Sequence, residues 1–108
     1  MRAGTLRDRI TLQRRATPED RDEYGSEDIT WVDVATVWAE EDMVYGVEFW
    51  GGQQMHHRLD GKFRIRRRDD VRPQWRIAQG TRRLEIMAVQ RPPEDRAEMV
   101  LLYRELVD

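Results

Sequence analysis

The stretch Lys62-Phe63-Arg64-Ile65-Arg66-Arg67-Arg68 decides the fold class. Phe63 and Ile65 alternate with Lys62, Arg64, Arg66 and Arg68, the period-two pattern of a strand with one dry face and one wet face. Outward from it the same pattern recurs. Arg9-Ile10-Thr11-Leu12-Gln13 sets Ile10 and Leu12 on one face, and Leu84, Ile86 and Ala88 oppose Met87 and Val89. Trp75 to Ala78 and Met99 to Leu106 read as further strands. Gly80-Thr81 suits a tight hairpin turn of the glycine-first type, and Pro92-Pro93-Glu94-Asp95 is a second turn. The span Ile29 to Glu40 is rich in β-branched and aromatic residues. Ile29 and Trp31 share a parity with Val37 and Ala39, while Val32, Val34 and Trp38 take the other, so the strand is buried on both faces or bent by a bulge. The expected fold is mainly β: a small barrel or sandwich of five or six strands, with Ile10, Leu12, Phe63, Ile65, Leu84 and Ile86 in the core and Trp31 and Trp38 packed in the domain. Gly46 to Leu59 is the one helix candidate. Glu48 suits its first turn, but Gly51 and Gly52 cost about 2 kcal/mol against alanine.

Composition narrows the function. The 108 residues are the length of one domain, 1–108, with 39% hydrophobic and 37% charged residues, which leaves a thin core and favours a partner-dependent subunit. A net charge of −2 argues against a dedicated duplex-DNA binder. Cysteine is lacking, so no disulfide framework or thiolate metal site exists. The charged start Met1-Arg2-Ala3-Gly4-Thr5-Leu6-Arg7-Asp8-Arg9 does not read as a signal peptide, and no run is apolar enough to span a membrane. Synthesis in a bacterial cytoplasm is expected. Basic charge is almost all arginine, with Lys62 the only lysine, and arginine suits packed ion pairs.

Three groups of residues are candidates for binding. The connection Arg15 to Asp28 is long and carries Glu19, Asp20, Asp22, Glu23, Glu27 and Asp28 beside Tyr24. Loops of that length are functional or disordered, and this one is expected to project and to meet a partner or the lumen of a ring. The stripe Lys62, Arg64, Arg66 and Arg68 repeats charge about every 7 Å along one strand face. It is a solvated face, a track for phosphates, or a surface for a neighbouring subunit's acids such as Glu40-Glu41-Asp42. Phe49 and Trp50, beside two glycines, are candidate interface aromatics. Chemistry has no comparable candidate. His56 and His57 are adjacent and lack a spaced third ligand, Gly51-Gly52 lacks the lysine of a phosphate loop, and no nucleophilic triad can be assembled. No enzyme activity, metal or cofactor is expected.

The residues also carry a family resemblance. Gly4-Thr5-Leu6-Arg7-Asp8-Arg9-Ile10-Thr11-Leu12-Gln13-Arg14 resembles the opening of the phage head–tail joining (head-closure or stopper) family. Asp22-Glu23-Tyr24-Gly25 followed by Trp31-Val32-Asp33-Val34-Ala35-Thr36-Val37-Trp38-Ala39 is similar to that family's most recognisable segment. Gly46-Val47-Glu48-Phe49, Ile65-Arg66 and Arg83-Leu84-Glu85-Ile86 follow in family order. Asp60, Gly61 and Arg67 depart from its pattern. Asp60-Gly61 is a hairpin signal, so a tighter turn into the strand at Lys62 is expected there. The resemblance implies a homo-oligomeric ring, sixfold or twelvefold, in the neck of a phage, prophage or gene transfer particle. Such a ring lies between a portal or adaptor protein and a tail-terminator protein, closes the head, and touches packaged DNA transiently and without sequence preference. The alternative is a small β-barrel nucleic-acid-binding module.

Overall fold

Alternating apolar residues and long-range pairing produce six strands in the computed structural model: β1 Asp8–Arg15, β2 Trp31–Trp50, β3 His56–Arg66, β4 Arg76–Gln79, β5 Arg82–Gln90 and β6 Glu98–Glu105. The structure describes the backbone of residues 6–20, 30–50 and 56–106, and the side chains of these except 44–50 and 56–58. The strands are antiparallel and close into a barrel in the order β1-β2-β3-β6-β5-β4, with β4 pairing back to β1. Ile10, Leu12, Phe63, Ile65, Leu84 and Ile86 are each at most 1% exposed, as their parity requires, and Ile77, Met99, Leu101 and Tyr103 complete the interior. Each such side chain contributes about 1.5–3 kcal/mol by leaving water.

Bulges at Val34 and Met87 adjust the phase of the strands, and a further register shift between β2 and β3 falls between Met43 and Val47. Leu12 pairs with Ala35 but Gln13 with Asp33, so Val34 is the extra residue in β2. Beyond it Trp31 and Asp33 point outward, as do Thr36 and Trp38 before it, and Val37 and Ala39 point to the core. Of the two readings of this strand's mixed parity, burial on both faces or a bulge, the bulge is the one present. Trp38, however, is not packed in the domain. It is 50% exposed, with the Arg9 guanidinium 4.6 Å from its ring centroid. Core placement went to the small Ala39, because only that parity lies opposite Asp8–Ile10 with Ile10 inward. The second bulge leaves Met87 unmatched between the pairs Ile86–Tyr103 and Ala88–Leu102. Val89 thereby packs against the core although it alternates out of phase with Leu84 and Ile86.

Two local expectations are corrected. Gly46 to Leu59 is not a helix: β2 runs on to Trp50, β3 starts at His56, and Val47–Trp50 pair with His56–Leu59. Cross-strand hydrogen bonds satisfy this backbone without asking two glycines to hold a helix. Among the described residues the helical ones are 18–20. Asp60-Gly61 is not a turn either, because β3 passes straight through it with Gly61 opposite Met43 and Tyr103. A Cβ on Gly61 would lie 2.5 Å from the Tyr103 hydroxyl, so glycine here makes room for a ring and does not bend the chain. Gly80-Thr81 does turn. Gln79 pairs with Arg82, and Gly80 has φ of 58° whereas Thr81 is not left-handed, the glycine-first geometry. The Pro92–Asp95 turn closes through the Asp95 amide donating to the Pro92 carbonyl at 3.2 Å.

Candidate assembly surfaces

The basic stripe lies on the outside of β3, where register brings acids to it. Arg64 is opposite Glu40 and Lys62 opposite Asp42. Arg64 donates to the Glu40 carboxylate at 2.7 Å and faces Glu98 at 3.4 Å, and Lys62 is 4.0 Å from Asp42. Arg68 grips Asp70 through two hydrogen bonds, at 3.1 and 2.9 Å, and these bonds hold the Asp70 carboxyl below its ordinary range. Arg66 is exposed, with no ion pair among the described residues. Glu40 and Asp42, read from sequence as acids for a neighbour, thus serve arginine and lysine of their own chain.

The acidic connection starts with an ordered turn. Thr17 caps it: the Asp20 amide donates to Thr17 Oγ1 at 3.3 Å, and the Asp20 carboxylate accepts from the Thr17 amide at 2.7 Å. This is a reciprocal capping box with Pro18 at the first helical position. Arg14 adds hydrogen bonds of 2.6 and 3.0 Å to the same carboxylate, holding Asp20 far below the usual carboxylate range. Asp20 is 9% exposed, so it does not project as expected, whereas Glu19 is exposed. Asp22, Glu23, Tyr24, Glu27 and Asp28 lie outside the described residues.

At one end of the barrel interior sits a polar cluster that sequence reasoning missed. Arg82 donates to Glu41 at 3.0 and 2.9 Å and to Glu105 at 3.0 Å, and the Tyr103 hydroxyl donates to Glu41. Burial pushes the Glu41 carboxyl up, but the bonds from Arg82 and Tyr103 outweigh it and hold the group below its ordinary value. Burial and the Glu41 charge push the Tyr103 hydroxyl well above its own. The available signal was that Glu41 and Tyr103 share the inward parity of Ala39 and Leu101. Asp60 adds a bond from the Glu105 amide at 2.8 Å.

Past this cluster β2 and β3 continue as a two-stranded arm. Among the described residues, β1 leaves β2 at Ala39 and β6 leaves β3 at Gly61, so Val47–Trp50 and His56–Leu59 pair only with each other. From Met43 to Trp50 an extended strand covers about 23 Å. Phe49 and Trp50 pair with His57 and His56 in this arm; their side chains lie outside what the structure describes.

The outer face of β1, β2 and β4 carries a polar ladder. Thr11 meets Thr36 at 3.0 Å, Gln13 donates to Asp33 at 2.7 Å, and Arg76 donates to Gln13 at 2.8 Å. Arg15 and Arg76 lie 4.9 and 4.4 Å from the Trp31 ring centroid, so Trp31 is half-buried under guanidinium groups on the outside of the barrel and not in the core.

Fold and surfaces together define a small antiparallel β-barrel module with a protruding arm. The family model of the phage head completion protein matches residues 1–106, and the chain belongs to that family. Membership makes it a structural, virion-associated protein with a phage head–tail role. The solution structure of protein SF1141 from Shigella flexneri 2a is similar, with 31% identity over 97% of this chain and 96% of that one and a TM-score of 0.59. A comparison with curated protein sequences finds no significant match.

Proposed function

We propose that the chain is a ring-forming subunit of the particle neck, seated between a portal or adaptor protein and the tail, where it closes the head and continues the DNA channel. The observation that carries this reading is the arm. A closed barrel spends its strand edges on itself, but β2 past Ala39 and β3 before Gly61 each keep an edge that no described strand covers. Open edges pair with other chains, and a subunit whose pairing edges are confined to one projecting arm is suited to join copies around an axis. The stripe Lys62, Arg64 and Arg68 supports assembly over nucleic-acid binding, because its charges are already matched by Asp42, Glu40, Glu98 and Asp70. Electron microscopy of particle necks, with wild-type protein and with residues 44–58 replaced by a two-residue turn, tests the proposal. A ring density at the neck and leaking, tailless heads from the arm variant are expected. Infectious particles from the arm variant, or a neck without this subunit, would overturn it.

A further inference from the structure

Among the described residues, seven basic side chains are paired with carboxylates: Arg14, Lys62, Arg64, Arg67, Arg68, Arg82 and Arg104. Around one hollow the pattern reverses. Arg15, Arg72 and Arg76 have no carboxylate within ion-pair distance among the described residues, and they border two adjoining cavities of about 270 and 360 Å³ that share Arg15, Gln74 and Trp75. Burial, with the charges of Arg83 and Arg15, lowers the proton affinity of Arg76 against the opposing pull of Asp33. Glu85, opposite Arg76 in the ladder, also lines the first cavity, but its carboxylate is paired with Arg104 at 2.6 Å.

The rim of this hollow is also strained. The Trp75 amide reaches the Arg72 carbonyl at 3.4 Å, closing a turn with Pro73 and Gln74 at its centre, and Gln74 has φ of 74°. That position ordinarily takes glycine, since a side chain there is costly. The Gln74 amide donates to the Ile86 carbonyl at 2.8 Å, which pins the turn to β5. A glutamine kept at a glycine position, exposed on the lip of a cationic hollow, has a side chain to offer a ligand.

We propose that this hollow is a socket for the acidic segment Asp22–Asp28 of a second copy of the chain. The proposal rests on the ring reading and supplies its contact. A ring needs two different patches that complement each other on every subunit. Here one patch is Arg15, Arg72 and Arg76, three arginines without a carboxylate partner among the described residues, beside Trp31 and Trp75. The other is Asp22, Glu23, Glu27 and Asp28, with Tyr24 between them as an aromatic anchor. Guanidinium groups laid over Trp31 retain N–H donors for carboxylates beyond the one that Arg76 gives to Gln13. The same arrangement disfavours nucleic acid. The Trp31 ring is already covered by guanidinium groups and is a poor stacking platform, and a duplex presents its phosphates on a convex surface that cannot enter so small a concavity.

The test uses a fluorescent peptide of residues 21–30, its analogue with the four acids replaced by Ser, and a short DNA duplex, each titrated by anisotropy onto the full-length protein. The acidic peptide should bind, and the Ser analogue and the duplex should bind at least about tenfold more weakly. Arg15→Glu with Arg72→Glu, both at exposed positions, should remove peptide binding while the melting curve is kept, and Arg66→Glu should leave binding unchanged. Gln74→Gly should raise the melting temperature yet weaken the peptide, a pairing that a merely structural residue would not give. Finally, Arg15→Glu/Arg72→Glu protein and Asp22→Arg/Glu23→Arg/Glu27→Arg protein should each fail to form rings alone and should form them when mixed. Equal binding of the Ser analogue, preferred binding of the duplex, no peptide binding, or rings from either variant alone would each overturn the socket. Rings that persist in the variants would leave the neck assignment standing, whereas wild-type necks without the subunit would remove that assignment instead.

Discussion

Gly61→Ala is the sharpest perturbation of the barrel. The new methyl would sit 2.5 Å from the Tyr103 hydroxyl, 2.7 Å from its ring carbon and 3.0 Å from the Asp42 carbonyl, so the backbone cannot yield and the ring must. Overpacking of this kind costs about 1–3 kcal/mol. A displaced Tyr103 also gives up its bond to the Glu41 carboxylate, worth about 1.5–3 kcal/mol as a charge-assisted hydrogen bond. Against this, alanine restricts the unfolded chain and returns roughly 0.4–1 kcal/mol. The balance is a loss of about 2–4 kcal/mol, on the order of 10–20 °C in melting temperature for a domain of this size. Thermal and urea unfolding of Gly61→Ala, Tyr103→Leu and the double variant measure it. In the Tyr103→Leu background the cost of the methyl should fall below about 1 kcal/mol, because the clashing ring is gone. A Gly61→Ala protein melting within a few degrees of wild type, or a cost independent of residue 103, would refute the account of Gly61 as space for a ring.

Ile65→Asp should abolish soluble expression, since a carboxylate at a fully buried position has no partner; a cooperatively melting variant would sink the strand assignment. Glu41 has a depressed carboxyl, so its stabilisation is fully present above the unfolded value of 4.5 and is lost as pH falls through the lower folded value. The stability gap between wild type and Glu41→Gln should therefore be constant above about pH 5.5 and shrink below 4.5, and a gap that widens on acidification would contradict the cluster. Arg64→Ser leaves Glu40 and Glu98 without their shared cation and should cost about 1 kcal/mol after solvent screening, while Arg66→Ser should stay within about 0.5 kcal/mol. Equal effects from the two would mean that the Glu40 and Glu98 pairs carry nothing.

What the sequence made legible was whatever alternation encodes. Ile10 with Leu12, Phe63 with Ile65 and Leu84 with Ile86 announce inward faces because side chains in a strand alternate without regard to partners. What it hid depends on which strands meet. Asp60-Gly61 and Gly80-Thr81 are both turn-like dipeptides, and only the packing of Tyr103, 42 residues from Gly61, decides that the first runs straight. Gly46 to Leu59 read as a helix with Glu48 in its first turn, but pairing between its two halves made it an arm. Trp38 was assigned inside by its size, when parity relative to Ile10 governs and gives the core to Ala39. The assembly surfaces were harder still. The stripe on β3 was visible, its partners Glu40 and Asp42 were not, and the hollow at Trp31 and Trp75 joins residues from β1, β2, β4 and β5 that no local pattern links.

The bulges at Val34 and Met87 give these strands a joint at which phase can be reset. On either side of such a joint the chain keeps its own rhythm, so one extra or missing residue does not propagate beyond it. Removing Val34 would make the β1–β2 ladder continuous with Asp33 still opposite Gln13 and Trp31 still opposite Arg15, so the bond from Gln13 to Asp33 and the stacking of Arg15 and Arg76 on Trp31 should survive the deletion. Single-residue length changes among relatives should therefore gather at Val34 and Met87, whereas the stretches Asp8–Leu12 and Phe63–Ile65, with no such joint, should keep their length whatever their side chains become.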